Sequence, residues 1–255
     1  MLKIIKIGGG IIDNPDELNS FLKTFSAIES PKILIHGGGK GASKMLQKLG
    51  IEPNMIEGRR VTDQATLDVV TGLYAGNINK MIVSILQQNG TNAVGLSGAD
   101  GNVIKGIKRP IKTVDFGFVG DINLEGINID FLQLLIDNGY TPVMCAITHD
   151  GNAQLLNTNA DTIASTIAEA LAQKNEVELN FCFDKIGVLR DVNDDSTLIP
   201  IINKELYQEL KEKGIIFEGM IPKLDNSFRV IENGVKNVCL VHANNINTDI
   251  KTVLC

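Results

Sequence analysis

The sequence predicts an α/β fold, a three-layer sandwich with two lobes in which a central, mostly parallel sheet is flanked by helices. Apolar runs alternate with segments of helical periodicity along the 255 residues, as in repeated strand–helix units. Internal runs such as "KILI" (32–35) are hydrophobic at nearly every position, as expected for strands covered on both faces. Glycine-rich turns follow several of these runs, at the edge where open α/β sheets bind ligands.

The first half of the chain predicts three strands and three helices. Strands are expected at "LKIIKIG", "PKILIHGGG" and "NAVGLSG". The first helix has a clear start signal, with Asn14 as N-cap, Pro15 at the first helical position and acidic residues in the first turn. A second helix, "GASKMLQKLG", is closed by Gly50, and a long helix over residues 63–89 is interrupted near Gly76.

The second half continues the alternation after a polar stretch at 102–124 that predicts one or two hairpins. Helices are expected at "NIDFLQLLIDNGY", 161–174, "ELYQELKEKG" and "MIPKLDNSFRVIENG". Strands are expected at "TPVMCAI", "EVELNFCFD", "VKNVCLVHA" and "DIKTVLC". The polar connector at 173–178 predicts a boundary between an N-terminal lobe, 1–174, and a C-terminal lobe, 175–255.

The composition excludes several classes of partner. Hydrophobic residues make up 44% and charged residues 21% of the chain, as in soluble globular enzymes. With a net charge of −6, no Lys/Arg cluster and no Trp, the chain predicts no nucleic-acid partner. No targeting segment and no run of 18 uninterrupted apolar residues occur, so we expect a cytoplasmic protein without a membrane partner.

Cysteine and histidine spacing predicts neither a disulfide framework nor a metal site. The four cysteines form no C-x-x-C pair, and Cys145, Cys182 and Cys239 lie in apolar runs, as buried free thiols do. This pattern fits a reducing compartment. The three histidines are isolated and lack the spacing of metal ligands.

Two glycine triplets, 8–10 and 37–39, follow apolar strands and precede helices. Glycine lets backbone N–H groups approach an anion closely, and the N-terminus of the next helix adds partial positive charge. Lys6 lies at the carboxyl end of the first strand, within reach of an anion held by the first triplet. The alternatives are that the glycines only make tight turns and that Lys6 is a solvated edge lysine.

Known phosphate motifs fit less well. The P-loop pattern G-x-x-x-x-G-K-[ST] does not occur. Residues 37–42, "GGGKGA", match the dinucleotide pattern G-x-G-x-x-A, with Glu57 further along, so a dinucleotide-binding protein is an alternative. That alternative explains neither the first glycine triplet nor Lys6.

Seven motifs occur in order over residues 6–225: "KIGGG", "HGGGKGAS", "EGRRVTD", "GLSGADG", "DFGFVGDI", "LLNTNADTIASTIAEAL" and "EGMIPKLD". Together they resemble the acetylglutamate kinases of the amino acid kinase superfamily, and "GRRVTD" and "NTNAD" distinguish this family from its relatives. The resemblance implies the amino acid kinase-like form of the sandwich. It also implies transfer of the ATP γ-phosphoryl group to the side-chain carboxylate of N-acetyl-L-glutamate, or of a related N-acylglutamate such as N-succinylglutamate. The product is an acyl phosphate, in the second step of arginine biosynthesis.

The resemblance implies catalytic roles for three residues. Lys6 would bridge the transferring phosphoryl group, Lys223 would neutralise charge from the other side, and Asp161 would hold both lysines in place. The alternative for Asp161 is an N-cap of the following helix. The acceptor carboxylate is ionised at neutral pH and needs no general base, so cationic groups that reduce anion–anion repulsion suit the chemistry.

The resemblance also implies the residues that bind the amino acid substrate. Gly38 and Gly39 would donate backbone amides, Arg60 would clamp the α-carboxylate, and Asn157 would hydrogen-bond the substrate. Arg suits a planar carboxylate because its fork bonds both oxygens. Arg59 is expected at the surface or in an ion pair, because only one of two adjacent residues on an extended segment usually faces a site.

For the nucleotide, the resemblance implies contacts from Gly8, Gly9, Asp184, Gly187, Val188, Ile216, Phe217, Gly219 and Met220. Mg²⁺ would be carried by ATP with few protein ligands. The sequence departs from the family pattern at two places on the adenine side: Phe183 replaces a hydroxyl residue in "FDKIGV", and "VHANNINTD" lacks the family's late turn.

Two kinds of alternative stay open. One is another phosphotransferase of the superfamily: a glutamate 5-kinase, an aspartokinase, a uridylate kinase or a carbamate kinase. Chain length argues against the first two, and "GRRVTD" with "NTNAD" argues against the last two. The other alternative is a non-catalytic sensor of nucleotide or amino acid.

The resemblance bears on assembly as well. Arginine-regulated relatives carry an extra N-terminal helix that links dimers into a hexamer, whereas the first strand here is expected to begin at about residue 2. We therefore expect an arginine-insensitive homodimer, with the 63–89 helix at its interface.

Overall fold

The computed structural model describes residues 1–56, 59–216 and 220–255. The strands are β1 (Leu2–Ile7), β2 (Lys32–His36), β3 (Met55–Ile56), β4 (Arg59–Arg60), β5 (Ala93–Leu96), β6 (Ile107–Lys108), β7 (Val119–Asp121), β8 (Thr141–Cys145), β9 (Ile147–His149), β10 (Leu155–Thr158), β11 (Val177–Phe183), β12 (Ile201–Ile202), β13 (Asn237–His242) and β14 (Lys251–Leu254). The α-helices are α1 (Gly9–Asp13), α2 (Pro15–Ser26), α3 (Gly39–Lys48), α4 (Gln64–Thr71), α5 (Asn79–Gln88), α6 (Ile129–Asp137), α7 (Ala160–Ala172), α8 (Lys204–Glu212) and α9 (Ile221–Glu232).

The central sheet has eight strands in the order β12-β14-β13-β11-β1-β2-β8-β5. Every neighbouring pair is parallel except β13 and β14. Lys6 pairs with Phe181 on one side and with Ile35 on the other. The carboxyl ends of β1, β2 and β11 therefore meet at one edge of the sheet, and the prediction of a mostly parallel sheet is confirmed.

Helices cover both faces of this sheet. Ile4 and Ile5 are adjacent in β1 and point to opposite faces, yet neither is exposed to solvent. Helix α7 packs on β1, β2 and β11, beside α9 on β13, while α2 and α5 pack together elsewhere on the sheet. The core is continuous and confirms the predicted three-layer arrangement.

A smaller sheet, β6-β7-β10-β9, and the β3–β4 ribbon lie beside the carboxyl ends of the main strands. The ribbon is tied to the smaller sheet through Thr62, whose backbone accepts from Phe118 N and donates to Phe116 O. Gly117 has a φ of +70°, and a Cβ there would lie 2.2 Å from the Thr62 carbonyl oxygen. Glycine is therefore required at this join.

The long helix over Gln64–Gln88 is interrupted as predicted, but by a π-helical segment, Gly72–Ile78, instead of a break. It is long and apolar enough to cross a membrane by length and composition alone, a test that core helices of soluble proteins also pass. A third (33%) of its most apolar window is buried. Its inner face reaches the core through Leu67, Val70, Ile82 and Leu86.

The predicted lobe boundary falls within this architecture without interrupting the sheet. Strand β1, from the predicted N-terminal lobe, lies between β2 and β11, and β11 belongs to the predicted C-terminal lobe. The division into lobes 1–174 and 175–255 stays a prediction. All four cysteines are free, and Cys145, Cys182 and Cys239 are buried, as expected from their apolar surroundings.

Candidate active site

The two lysines predicted to be catalytic converge on one aspartate. Lys6 lies near the end of β1, and its Nζ is 2.7 Å from Asp161 Oδ1. Lys223, in the first turn of α9, is close enough to Asp161 and Lys6 for their charges to act on its pKa. Two ammonium groups from distant segments therefore approach a single carboxylate.

Burial and charge act together on this cluster. Burial lowers the pKa of Lys223 below its usual value, the Asp161 charge opposes that shift, and Lys6 reinforces it. The Lys223 Nζ also lies 4.8 Å from the Phe183 ring centroid and 5.3 Å from that of Phe181, within cation–π range. Burial favours a higher pKa for Asp161, but Lys6 and Lys223 outweigh it and hold this pKa below its usual value. Asp161 is therefore a carboxylate at neutral pH.

The N-cap alternative for Asp161 is wrong. The N-cap of α7 is Asn159, whose side chain accepts from Thr162 N at 3.0 Å. Asp161 is instead the second residue of the helix, where its side chain points toward Lys6. The Asn159 cap leaves the Asp161 carboxylate free to pair with the lysines.

The second glycine triplet begins α3. Gly38 is the N-cap and Gly39 the first helical residue. The Asp13 carboxylate accepts from the backbone N–H groups of Lys40, at 3.0 Å, and Gly41, at 3.2 Å. It thus satisfies two of the four amides that a helix start leaves unpaired. Sequence analysis missed Asp13, which joins the two glycine segments.

Turn geometry does not explain the first glycine triplet. Gly8 has a φ of −78°, which any residue can adopt. A Cβ there would lie 3.6 Å from the Cys182 carbonyl oxygen, an ordinary contact, and a Cβ at Gly10 would meet nothing within 4 Å. These features favour the prediction that the segment lacks side chains so that a ligand can approach the backbone.

A cavity of about 250 Å³, which we call the acceptor cavity, lies between the second glycine triplet and the smaller sheet. Gly38, Arg60 and Asn157 line it, as predicted. Arg60 is only 9% exposed; its Nη2 donates to Ser43 Oγ at 2.9 Å, and its buried Nη1 has no hydrogen-bond partner in the described part of the chain. Asn157 Nδ2 donates to Thr62 Oγ1 at 3.1 Å. A buried guanidinium with spare donors is suited to a carboxylate ligand.

Arg59 lies at the surface, as expected, but Arg60 is not the sole member of the pair that faces the site. Arg59 is exposed, but it lines the acceptor cavity together with Arg60. The two residues form a two-residue strand on a ribbon at the rim, outside the main sheet, so long side chains from both of its faces can reach the cavity. Arg109, which sequence analysis missed, also lines the cavity and forms an ion pair with Asp121.

Six of the nine residues predicted for the nucleotide line two neighbouring cavities. An apolar one of about 260 Å³ is lined by Phe183, Asp184, Lys185, Gly187, Val188, Leu189, Val192, Ile215, Ile216 and Met220. A cleft of about 790 Å³ includes Gly8 and Gly10, which flank Gly9. Phe183 and Asp184 line both cavities and so connect them. We call the two cavities together the nucleotide cleft.

Part of the nucleotide prediction has a simpler structural explanation. A Cβ at Gly187 would lie 2.6 Å from both Thr252 Oγ1 and Leu198 Cδ1, so packing alone requires glycine there. The Val188 N–H already donates to Thr252 Oγ1 at 2.8 Å. Phe217 and Gly219, together with Glu57 of the dinucleotide alternative, lie outside the described residues.

The Lys6–Asp161 ion pair lies between the acceptor cavity and the nucleotide cleft. Ala160 and Thr162, on either side of Asp161, line the acceptor cavity. Gly8, two residues after Lys6, lines the nucleotide cleft. A phosphoryl group passing from one space to the other would therefore meet this cluster.

Sequence analysis also missed a buried polar network behind the glycine loop. His36 is fully buried, with Nδ1 2.8 Å from the Gly37 carbonyl oxygen and Nε2 3.1 Å from Asn79 Nδ2. Asn79 Nδ2 also donates to the Val143 carbonyl at 2.9 Å. A Cβ on Gly95 would lie 2.0 Å from Asn79 Oδ1, so the network needs glycine in β5. Helix α5 thereby holds the peptide that precedes Gly38.

A family model described as "Amino acid kinase family" matches residues 1–242. The chain belongs to the amino acid kinase family. Among curated relatives, an acetylglutamate kinase from Phocaeicola vulgatus is 53% identical over 253 residues, covering 99% of this chain and 98% of the relative. Acetylglutamate kinases from Bacteroides fragilis and Methanopyrus kandleri are 51% and 37% identical, with at least 94% of each chain covered.

Solved structures agree with the amino acid kinase fold. A Streptococcus mutans protein has a TM-score of 0.78 at 24% identity, covering 99% of this chain and 98% of its own. N-Acetylglutamate synthase from Neisseria gonorrhoeae, complexed with coenzyme A and N-acetyl-glutamate, has a TM-score of 0.82 at 19% identity over 59% of its length. These distant likenesses support the fold alone.

Proposed function

We infer that this amino acid kinase transfers the γ-phosphoryl group of ATP to the side-chain carboxylate of N-acetyl-L-glutamate, as in arginine biosynthesis. The observation that carries this inference is the meeting of Lys6 and Lys223 at Asp161, between the acceptor cavity and the nucleotide cleft. Full-length relatives at about half identity bear the name acetylglutamate kinase, which supports the same conclusion.

The cluster suits a reaction between two anions. A carboxylate oxygen attacks the γ-phosphorus, the bond from that phosphorus to the ADP oxygen breaks, and no proton has to move. Lys6 and Lys223 would stabilise the charge that spreads over the equatorial oxygens. Asp161 would keep Lys6 in place through its ion pair, because a charged partner restricts the ammonium position.

The acceptor would be held by Gly38, Arg60 and Asn157, which line its cavity, and by Gly39, which follows Gly38. The amides of Gly38 and Gly39 would bind the carboxylate that is phosphorylated, close to Lys6. Arg60 would clamp the α-carboxylate, since its buried guanidinium has no carboxylate partner among the described residues. Asn157 would hydrogen-bond the substrate from the opposite wall.

The nucleotide would place its base in the apolar cavity and its phosphates along the first glycine triplet. Within the described residues, no group of three or more His, Cys, Asp or Glu side chains is arranged to hold a metal ion. Glu17 and Asp184 line the cleft and offer oxygen ligands of the kind Mg²⁺ prefers. Such residues fit an ion carried mainly by ATP, which would neutralise phosphate charge.

A specific observation favours a second candidate substrate, an N-acylglutamate whose acyl group carries its own carboxylate, such as N-succinylglutamate. A cavity of about 330 Å³ shares Arg59 and Arg109 with the acceptor cavity and adds Lys112. Among the described residues, Asp121 is the one acidic residue in its lining, and it is paired with Arg109. A third carboxylate would therefore find Arg59 and Lys112, two cations beyond Arg60 that an acetyl group leaves unused.

We also propose that the enzyme is a cytoplasmic homodimer. The helix over Gln64–Gln88 supports this proposal, because two thirds of its most apolar window is not buried in the single chain. Met81 on this helix is 40% exposed. Pairing of two such helices would cover this surface. The arginine-insensitive behaviour implied by the family resemblance is proposed on that resemblance alone.

An ADP-coupled assay with a panel of acceptors tests the proposed function. We expect turnover with N-acetylglutamate or N-succinylglutamate, and the ratio of their kcat/KM values identifies the preferred acyl group. UMP, carbamate, aspartate and free glutamate should give no turnover. Phosphorylation of UMP without phosphorylation of any N-acylglutamate would contradict the proposal, and tight binding without turnover would favour the sensor alternative.

A further inference from the structure

The π-helical segment carries Tyr74 into the acceptor cavity. Tyr74 lies within Gly72–Ile78, is 6% exposed and lines the cavity together with Asn157 and Thr158. An α-helix with one π turn places the following side chains at an angle that a regular helix does not reach, and such turns are frequent at functional sites. The position of Tyr74 is therefore a feature of the interrupted helix.

The Tyr74 ring packs directly against Gly38. A Cβ built on Gly38 would lie 1.6 Å from Cε1 and 2.2 Å from Cδ1 of the ring. No side chain fits between the two, although the φ of −125° at Gly38 would allow one. The ring thus explains why this position is glycine, and it supports the peptide whose amide would bind the acceptor carboxylate.

Tyr74 and Arg60 line the same cavity, close enough for the Arg60 charge to act on the phenol. Burial raises the pKa of this phenol, and the positive charge and hydrogen-bonding of Arg60 act in the opposite direction. Ser43 Oγ accepts from Nη2 of the same guanidinium. Arg60 is not neutralised, because no carboxylate pairs with it within the described ranges, and its Nη1 has no hydrogen-bond partner there.

We propose that Tyr74 is a positioning residue for the acceptor: its ring supports the Gly38 peptide, and its hydroxyl orients Arg60 toward the α-carboxylate. The proposal rests on the function inferred above. A phenol is suited to this role, since its oxygen accepts from the guanidinium without competing with the substrate as a carboxylate would. A tyrosine that only filled the core would affect stability and leave acceptor binding unchanged.

Tyr74→Phe tests the hydroxyl while keeping the ring. Because a hydrogen bond to a charged group contributes about 1.5–3 kcal/mol, we expect the KM for the N-acylglutamate to rise about tenfold or more. The KM for ATP and the kcat should stay within about twofold of the values for the unmodified chain. A rise in the acceptor KM with kcat unchanged indicates the loss of binding that is equal in the ground state and the transition state. Tyr140→Phe, on a tyrosine that is 40% exposed and does not line the cavity, is the matched control.

Gly38→Ala and the double variant Gly38→Ala/Tyr74→Ala test the ring. The single variant should lose measurable acceptor binding by calorimetry, because the new methyl group would overlap the ring. The double variant has room for that methyl group and should regain part of the affinity. Thermal melts of all variants show whether each is folded at the assay temperature.

The outcomes separate this proposal from the proposed function. If the unmodified chain phosphorylates no N-acylglutamate, the proposed function fails. If it does so, but Tyr74→Phe leaves the acceptor KM within twofold or changes the two KM values equally, only the role of the hydroxyl is overturned. If the double variant binds no better than Gly38→Ala, the role of the ring is overturned.

Discussion

At the scale of single residues, the position of Lys6 depends on a strand that is buried on both faces. An ammonium inside such a strand would be costly to desolvate. Lys6 avoids that cost because it lies near the strand's carboxyl end, where Asp161 pairs with it and its side chain keeps 16% exposure. The positive charge of Lys6 within an apolar run therefore indicates a binding site at the edge of the sheet.

Alanine substitutions test the two lysines separately. Lys6→Ala and Lys223→Ala should each lower kcat by about 100-fold or more, because each removes charge stabilisation made mainly in the transition state. Nucleotide affinity, measured by calorimetry with ADP, should fall much less. Lys236→Ala, which removes an exposed ion pair with Glu176, is the control and should leave kcat unchanged. Equal losses of kcat and nucleotide affinity would reduce the lysines to binding residues.

A second residue-scale prediction concerns His36 and pH. Burial lowers the pKa of His36 to about 4, with Lys80 contributing and the Gly37 hydrogen bond opposing. The unfolded chain, with a His pKa near 6.5, therefore binds a proton that the folded chain does not between about pH 6.5 and 4. Stability should fall as pH decreases through this window, by at most about 1.4 kcal/mol per pH unit from this site.

Urea unfolding between pH 7 and pH 4.5 measures this effect. His36→Gln removes the titrating group, so its free energy of unfolding should depend less on pH than that of the unmodified chain. His149→Gln, at a half-buried histidine outside the network, is the control. Identical pH slopes in the His36 variant and the unmodified chain would contradict a buried neutral imidazole.

The sequence allowed prediction of part of the candidate site and no more. Lys6 could be singled out because it lies at the end of a strand before a glycine triplet, and Asp161 and Arg60 because they belong to short motifs of the family that the sequence resembles. Asp13, Tyr74 and Arg109 could not be predicted, because their roles depend on contacts with residues distant in sequence. The possible signal for Tyr74 was an aromatic residue beside the predicted helix interruption.

At the scale of elements, helix caps fix where the helices begin and thereby where their functional side chains lie. Asn14 caps α2, its Oδ1 accepting from Asp16 N at 3.1 Å and Glu17 N at 3.4 Å, as its position before Pro15 predicted. Asn159 does the same for α7. Asn159 therefore caps the helix and Asp161 pairs with Lys6, so the two roles fall on different side chains.

Removing a cap should destabilise the protein by a measurable amount. Asn14→Ala should lower the free energy of unfolding by about 1 kcal/mol, because two backbone amides lose their acceptor. Urea denaturation measures the change. Asn14→Ser retains a capping oxygen and should recover most of the loss, and a serine variant no more stable than the alanine variant would argue against capping.

Most of the long elements could be predicted from periodicity and start signals, but several short ones could not. Helix α1 has five residues, two of them glycine, and the β3–β4 ribbon has two residues a strand. Such segments carry too few residues for a periodic pattern, and tertiary contacts decide their conformation. The π-helical form of the interruption could not be predicted either, because the sequence indicates only that the helix is interrupted near Gly76.

At the scale of the whole molecule, the proposed homodimer is tested by measuring the oligomeric state. We expect light scattering or sedimentation to give twice the chain mass of 27.6 kDa. Met81→Glu should shift the protein toward monomer, because it places a charge on the exposed side of the 64–88 helix. Lys48→Glu, a charge change on α3, is the control. A hexamer, or a monomer at every concentration tested, would contradict the proposed dimer.

The whole molecule also joins a net negative charge to a local positive site. The chain carries −6 overall, yet Lys6 and Lys223 lie beside Asp161, and three arginines line the acceptor cavity. Anionic substrates would enter against a weak repulsive field and bind in a strongly attractive one. Raising the salt concentration screens surface charge more than buried charge, so the site retains its attraction.

The central place of β1 has a consequence for synthesis of the chain. Its backbone is hydrogen-bonded to β2 on one side and to β11 on the other, and β11 spans only residues 177–183. Until the ribosome has released that later segment, one edge of β1 has no partner and can pair with another nascent chain. Incomplete translation products that stop before residue 177 should therefore be prone to aggregation.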